Sequence, residues 1–337
     1  MTDFTRLITD WYRQNKRNLP WRETSDPYFI WLSEIILQQT RVEQGKNYYL
    51  KFKKNYPTII DLANASEESI LNDWQGLGYY SRARNLHFTA QHIRDHHNGI
   101  FPSDYTQIKS LKGIGDYTAA AISSFAFNKK HAVVDGNVYR LLSRVFNIDI
   151  PIDSNQGVKY FQSLANELID ENDPALHNQA IMEVGSLICS PKNPNCVECP
   201  LESKCLSKAI GNFDLLPVKS KKVNVKKRYF HYLIFQENDL TILEKRNEKD
   251  IWQHLYQFPM IESENTETPQ NEIFTDKYNV SEEITHILTH QKITAKFYHF
   301  NFIPNNLEKK WNKIKLSDIQ NYPLPRIIDR YLEKNEI

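Results

Sequence analysis

Four sets of residues have the types and spacing to do chemistry. Cys189, Cys196, Cys199 and Cys205 are the only cysteines and are separated by six, two and five residues. Thiolates this close can wrap one metal centre. A structural zinc ion would need the same four thiolates, but the first gap is wider than a zinc knuckle uses and favours a larger cluster. Disulfides are the weaker reading for a chain that opens without a secretory signal. The second set is the stretch 111–118, with Gly113 and Gly115 set between Leu111-Lys112 and a helical pattern. Two glycines allow positive φ and a close approach of backbone amides, and the next helix adds its N-terminal amides, which together suit one phosphate. A helix C-cap followed by a turn would look the same.

The other two sets are single carboxylates. Glu34 has Ile30, Trp31, Leu37 and Gln38 at helical spacing, a largely apolar face. A carboxyl desolvated there holds its proton towards neutral pH; the plainer alternative is a surface glutamate paired with a nearby Lys or Arg. Asp135 ends the apolar run 131–134 and precedes Gly136, Asn137 and a helix. It reads most simply as an N-cap, or else as a carboxylate kept ionised by amide donors and facing a developing cation. One acid that stays protonated and one carboxylate that stays charged form the arrangement that breaks glycosidic bonds. The logic extends to an N-glycosidic bond whose leaving group is a nucleobase.

Elements must hold these groups in place. Phe4, Leu7, Ile8, Trp11 and Tyr12 make one helical face, and Asp26-Pro27 marks a helix start running to Leu37. Further helical patterns cover 44–54, 66–75, 81–97, 104–111, 117–127, 137–146, 156–170 and 175–188, with no convincing strand before residue 220. After that the texture changes. Residues 229–235 and 240–243 flank Glu237-Asn238-Asp239 as a β-hairpin, 293–302 alternates as a strand, and 324–332 reads as a closing helix. A length of 337 residues fits about two domains. Between them, Lys208, Lys219, Lys221, Lys222, Lys226, Lys227 and Arg228 stand against Asp214 alone. That run is a solvated linker or a cationic tether along a phosphate backbone. The overall balance of +1 would not by itself suggest a nucleic-acid partner. No apolar stretch approaches the ~18 residues of a membrane span, and the expected compartment is the cytosol.

Residues 17–205 resemble MutY-type adenine DNA glycosylases of the endonuclease III superfamily almost continuously. The resemblance is carried by Leu19-Pro20-Trp21-Arg22, by 27–42, by Gly76 through Leu86, by the hairpin, by Val134 through Val138, and by the cysteine spacing. It implies a multidomain protein. An all-α helix-hairpin-helix glycosylase domain would span 1–205, with its six-helix part at about 25–130 and a 4Fe–4S module built from the N-terminal helix and about 131–205. A basic linker would follow at 206–228, then a C-terminal α+β MutT-like (Nudix-fold) domain at 229–337.

The resemblance also implies function: removal of adenine mispaired with 8-oxoguanine or guanine from double-stranded DNA, by a monomer of the bacterial cytosol. Glu34 would protonate adenine and later activate water. Asp135 would stabilise the sugar cation or form a transient covalent adduct with it, and Tyr117 and Asn137 would complete the active site. Arg22 and Gln179 would line the pocket. Gln39, Thr40, Leu77 and Tyr79 would fill the gap left by the flipped adenine, and Gly113 and Gly115 would grip phosphate. Bifunctional relatives carry a nucleophilic Lys where this chain has Tyr117, and a phenol cannot form a Schiff base; the enzyme is therefore expected to be monofunctional. Leu288-Thr289-His290 replaces the family's Phe-Ser-His lesion-reading loop, so Thr289 keeps a hydroxyl beside His290 while the aromatic ring is lost. The Nudix metal-binding glutamate cluster is missing, so the last domain is expected to bind rather than hydrolyse. Two other readings stay open: a related glycosylase of another mismatch preference, and a lesion-binding protein without catalysis.

Overall fold

The computed structural model describes residues 2–220, 224–275 and 277–335. The chain divides into two compact units, one of Met1–Asn64 with Phe88–Lys221 and one of Ala65–His87 with Lys222–Ile337.

The first unit is helical. Its described helices are α1 (Asp3–Asn15), α2 (Pro27–Leu37), α3 (Val42–Asn55), α4 (Ile59–Asn64), most of α6 (Ser81–His96), α7 (Tyr105–Ser110), α8 (Asp116–Phe127), α9 (Gly136–Val145), α10 (Asn155–Leu168), α11 (Pro174–Leu187) and α12 (Leu206–Ile210). Starts follow capping chemistry. Asp26 accepts the Tyr28 amide at 2.8 Å with Pro27 at the first helical position, and Asp104 caps α7 through the amides of Thr106 and Gln107. One core joins α1, α9, α10 and α11 through Phe4, Ile8, Val138, Leu142, Phe161 and Val184. The expected helices are present; α4 and α12, whose six and five residues are too short to show a helical period, were not expected, and α12 lies at the start of the stretch read as a linker.

The second unit holds α5 (Glu67–Asp73), the start of α6, and a sheet closed by α13 (Arg326–Asn335). Strand β1 (Lys226–Glu237) pairs antiparallel with β2 (Leu240–Lys245) across the predicted hairpin and parallel with β7 (Gln291–Phe300). Strands β3 (Tyr256–Gln257), β4 (Met260–Ser263), β5 (Asn279–Val280), β6 (Ile284–Ile287) and β8 (Trp311–Lys315) complete it. β1 is buried on both faces over Tyr232–Phe235, as a central strand must be. Phe235 stacks on Phe300 at 5.1 Å between ring centroids and Tyr232 on Phe297 at 5.0 Å. Of the basic run, Lys221 and Lys222 lie outside the described residues. Arg228 is not a tether residue: it is buried in β1, bidentate to both Glu262 (2.7 and 2.7 Å) and Asp250 (2.9 and 2.8 Å). A guanidinium between two carboxylates is neutralised and unavailable to a phosphate.

α11 crosses α9 at Gly185, where an added Cβ would lie 2.8 Å from the Asn137 carbonyl oxygen. Only hydrogen fits there, and α9 backbone would have to move for anything larger. Gly185→Ala is expected to lower unfolding stability by about 1–3 kcal/mol in guanidinium titrations, the usual cost of overpacking.

Candidate active site

α2 exposes little: Glu34 is 8% exposed, among Ile30, Trp31 and Ile35, which are buried further. Gln38, the C-cap of the same helix, donates to the Thr118 hydroxyl at 3.3 Å, tying the end of α2 to α8. From α8, Tyr117 brings its hydroxyl to the Glu34 carboxyl and to Met182 Sδ at 3.7 Å. Burial raises the Glu34 pKa from 4.5 to about 7, against the Tyr117 hydrogen bond, with Asp135 adding to the rise and Arg22 opposing it. Burial also pushes the Tyr117 phenol well above its ordinary value, as does the neighbouring Glu34. The pair therefore exchanges protons near neutrality only through Glu34.

Asp135 takes the N-cap position read for it. As the N-cap of α9 it accepts the Asn137 amide at 2.9 Å and the Val138 amide at 2.8 Å on one oxygen; the other accepts Asn137 Nδ2 at 2.8 Å. Burial raises its pKa, while those donors and Arg140 pull the other way and favour the charged form. The segment before it is pinned by Asn178, whose Oδ1 accepts the Val133 amide at 3.1 Å and whose Nδ2 donates to the His131 carbonyl at 2.9 Å.

Glu34, Tyr117, Asp135, Asn137, Arg22, Thr40 and Gln179 line one pocket of about 750 Å3 that opens to the surface. Gln39 is not part of its lining; it is exposed, with φ +55. Sequence reasoning missed Glu183, which is 1% exposed and accepts four guanidinium bonds of 2.6–3.0 Å from Arg17 and Arg22. Burial would raise its carboxyl, but those bonds bring it down to about 2. The available signal was spacing, since Gln179, Glu183 and Ser186 follow one another on the pocket side of α11.

In the hairpin before α8, Gly113 takes φ +82. Gly115 does not: its backbone is extended, φ −95 and ψ −177, as the cap of α8, so only one glycine uses the left-handed region. A Cβ at Gly115 would meet nothing within 4 Å, and the α8 amides stay open to approach.

The four cysteines line a single pocket of about 370 Å3 together with Arg144 and Lys208. Arg144 holds the start of their loop by donating to the carbonyls of Ser190 (2.8 Å) and Pro191 (3.1 Å), reaches Cys189 Sγ at 3.5 Å, and also donates to the carbonyls of Phe213 (3.0 Å) and Leu216 (3.2 Å) beyond the loop. Among the described residues, no three His, Cys, Asp or Glu side chains close on a point fit for one ion. One turn earlier on α9, Arg140 donates to the Cys189 and Gly185 carbonyls at 2.5 and 2.6 Å and to Asn137 Oδ1 at 2.9 Å. The cysteine loop and the Asp135–Asn137 cap thus share one guanidinium.

In the second unit, the hydroxyls of Tyr79 and Thr289 are hydrogen-bonded. Tyr79 is 45% exposed with φ +48, while Leu77 is buried; both line a pocket with Trp252, Leu288 and His290. Arg84 fixes this region by donating to the Gln253 carbonyl at 2.8 Å, and His254 pairs with Glu67 at 2.6 Å.

Fold and pocket together define a helix-hairpin-helix protein of base excision repair. Residues 32–184 match the HhH-GPD superfamily base excision DNA repair proteins, and residues 231–334 match the NUDIX domain. The chain is 39% identical over 296 residues to the adenine DNA glycosylase of Buchnera aphidicola subsp. Baizongia pistaciae, covering 85% of this chain and 83% of that one. With the adenine DNA glycosylase of the subspecies from Acyrthosiphon pisum it shares 31% identity over 342 residues, 98% of this chain and 97% of the relative. A thermostable thymine-DNA glycosylase superimposes with a TM-score of 0.57 at 30% identity, over 61% of this chain and 95% of that one. The chain belongs to the adenine DNA glycosylase family, hydrolases that act on N-glycosyl bonds in base excision repair. No described helix is long and apolar enough to cross a membrane.

The raised Glu34 pKa has a stability consequence. The folded chain keeps a proton that the unfolded chain releases above 4.5, so stability is lost as pH rises from 4.5 to about 7. Glu34→Gln removes that loss. It is expected to unfold with up to about 3 kcal/mol more stability than wild type at about pH 8, and with a much smaller gain at about pH 5, in guanidinium titrations.

Proposed function

We propose that the pocket hydrolyses the N-glycosidic bond of adenine mispaired with 8-oxoguanine or guanine in double-stranded DNA, without strand cleavage. The observation that carries this reading is a desolvated carboxyl with a pKa of about 7 beside a capped, donor-rich carboxylate in one pocket. A stacked base hides its glycosidic bond, so adenine must leave the helix to enter. Glu34 then donates its proton to an adenine ring nitrogen. The bond from C1′ to the base breaks, its electron pair leaves with adenine, and positive charge develops on the sugar. Asp135 faces that charge, its amide donors favouring the carboxylate against the burial that raises its pKa. Water adds to C1′, and its proton returns to Glu34.

Tyr117 bears on the outcome at the strand. Its phenol stands where a Schiff-base amine would be needed. The nearest lysine in the sequence, Lys112, lies outside the pocket lining, with its ammonium over Phe88. In the second unit, Tyr79, Thr289 and His290 would read the base opposite adenine; the paired hydroxyls of Tyr79 and Thr289 support that role.

The four thiolates would suit a 4Fe–4S cluster, since they line one pocket. Such a cluster would cross-link the loop 189–205. This chain's own residues do the rest: Arg144 holds the loop and Arg140 ties it to Asn137.

Single-turnover assays on duplexes with adenine opposite 8-oxoguanine, guanine or thymine test the substrate. Base release is expected opposite the first two, with breaks appearing only after alkali. Strand breaks without alkali would contradict the monofunctional reading, and preferential release of thymine opposite guanine would contradict the adenine reading. Because the protonated acid is lost above its pKa, the rate should fall as pH rises through about 7. Glu34→Gln should be slower by roughly 10²–10⁴-fold.

A further inference from the structure

The hairpin segment carries three charged side chains, Lys109, Lys112 and Asp116. Lys109 is committed to the Asp116 carboxylate, which also accepts the Tyr105 hydroxyl at 3.2 Å. Their charges cancel, and Lys112 alone sets the sign of the hairpin. It is exposed and makes no ion pair with a described residue.

Lys112 is nonetheless held at both ends by α6. Thr89, fully buried, donates its hydroxyl to the Lys112 carbonyl at 2.8 Å. The preceding residue, Phe88, places its ring under the ammonium, with Nζ 4.3 Å from the centroid. Phe88 is 49% exposed, so the ring is not filling a core. An ammonium over an aromatic face is attracted by the ring quadrupole, and here the attraction fixes a long flexible side chain beside the Gly113 turn.

We propose that Lys112, seated on Phe88, is a side-chain phosphate contact of the hairpin and adds one ionic contact with the duplex backbone beside the hairpin amides. This rests on the reading of the hairpin as a phosphate grip. Lysine serves phosphate as a point charge, and a charge already positioned loses little freedom on contact. Asp116, left alone, would repel the same phosphate; its partner Lys109 removes that repulsion and leaves Lys112 as the net cation.

Counterion release supplies the test. Binding of the full-length protein to an unmodified duplex is followed by fluorescence anisotropy over a range of salt concentrations. Lys112→Gln is expected to make the slope of log affinity against log salt shallower by about 0.9, the value of one lost phosphate contact, and Lys112→Arg to restore it. A merely structural role would weaken binding by one factor at every salt concentration and leave the slope unchanged. Phe88→Leu should weaken binding in the wild-type background and add nothing in the Lys112→Gln background; additive losses would overturn the seat. Gly113→Ala, strained at φ +82, reports on the hairpin itself and should lose affinity. An unchanged slope in Lys112→Gln alongside weakened Gly113→Ala would overturn the role of Lys112 and leave the hairpin grip standing. Wild-type affinity in Gly113→Ala would overturn the grip on which the proposal rests.

Discussion

The pocket depends on keeping one carboxyl group out of water. Glu34 sits on α2 among side chains that exclude solvent, and that exclusion moves its protonation to about 7. Removing a carboxylate from water opposes folding at neutral pH, so the surrounding packing must outweigh it. On the proposed function the cost has a use, because a general acid for a purine leaving group has to be protonated where the enzyme works. Asp135 is close kin by chemistry and separated by environment. Its cap position supplies two backbone amides and the Asn137 side chain, and among the described residues Glu34 has no such donors beyond the Tyr117 hydroxyl. Two carboxyls in one pocket are thereby assigned opposite roles by their donors.

Three guanidinium sites hold the surrounding elements. Arg17 and Arg22 converge on Glu183 and fix the segment before α2 against α11. Arg140 joins α9 and α11 to the start of the cysteine loop, and Arg144 holds the next two residues of that loop through the Ser190 and Pro191 carbonyls. In the second unit Arg228 plays the same part between Asp250 and Glu262. Each guanidinium satisfies several backbone or carboxylate groups at once. An Arg→Lys change at any of them would keep the charge and lose the fork of donors.

The sequence was most readable where local chemistry and function coincide. Glu34 stood out because its helical neighbours are apolar, and Asp135 because a cap announces itself one residue before its helix. The hairpin at Asn238 and the long strands β1 and β7 were visible from alternation, whereas β3 and β5 are two residues each and carry no period to read. Glu183 was hidden for a different reason. Its arginine partners lie 166 and 161 residues away, and locally only its spacing from Gln179 and Ser186 sets it apart from a surface glutamate. Arg228 misled in the opposite direction: among lysines it looked like part of a solvated run, but its carboxylate partners come from residues 250 and 262. Long-range ion pairs are the part of this fold that composition and spacing conceal.

The most direct measurement is the titration of Glu34 itself, by carbon-detected NMR of protein labelled at the glutamate side-chain carboxyl, with Glu34→Gln used to assign the signal. The account predicts a midpoint near 7, moving higher in Tyr117→Phe because the hydroxyl that favours the carboxylate is then gone. A midpoint near 4.5, unmoved by Tyr117→Phe, would mean that the carboxyl is solvated and ionised at neutral pH, and would contradict its role as the acid.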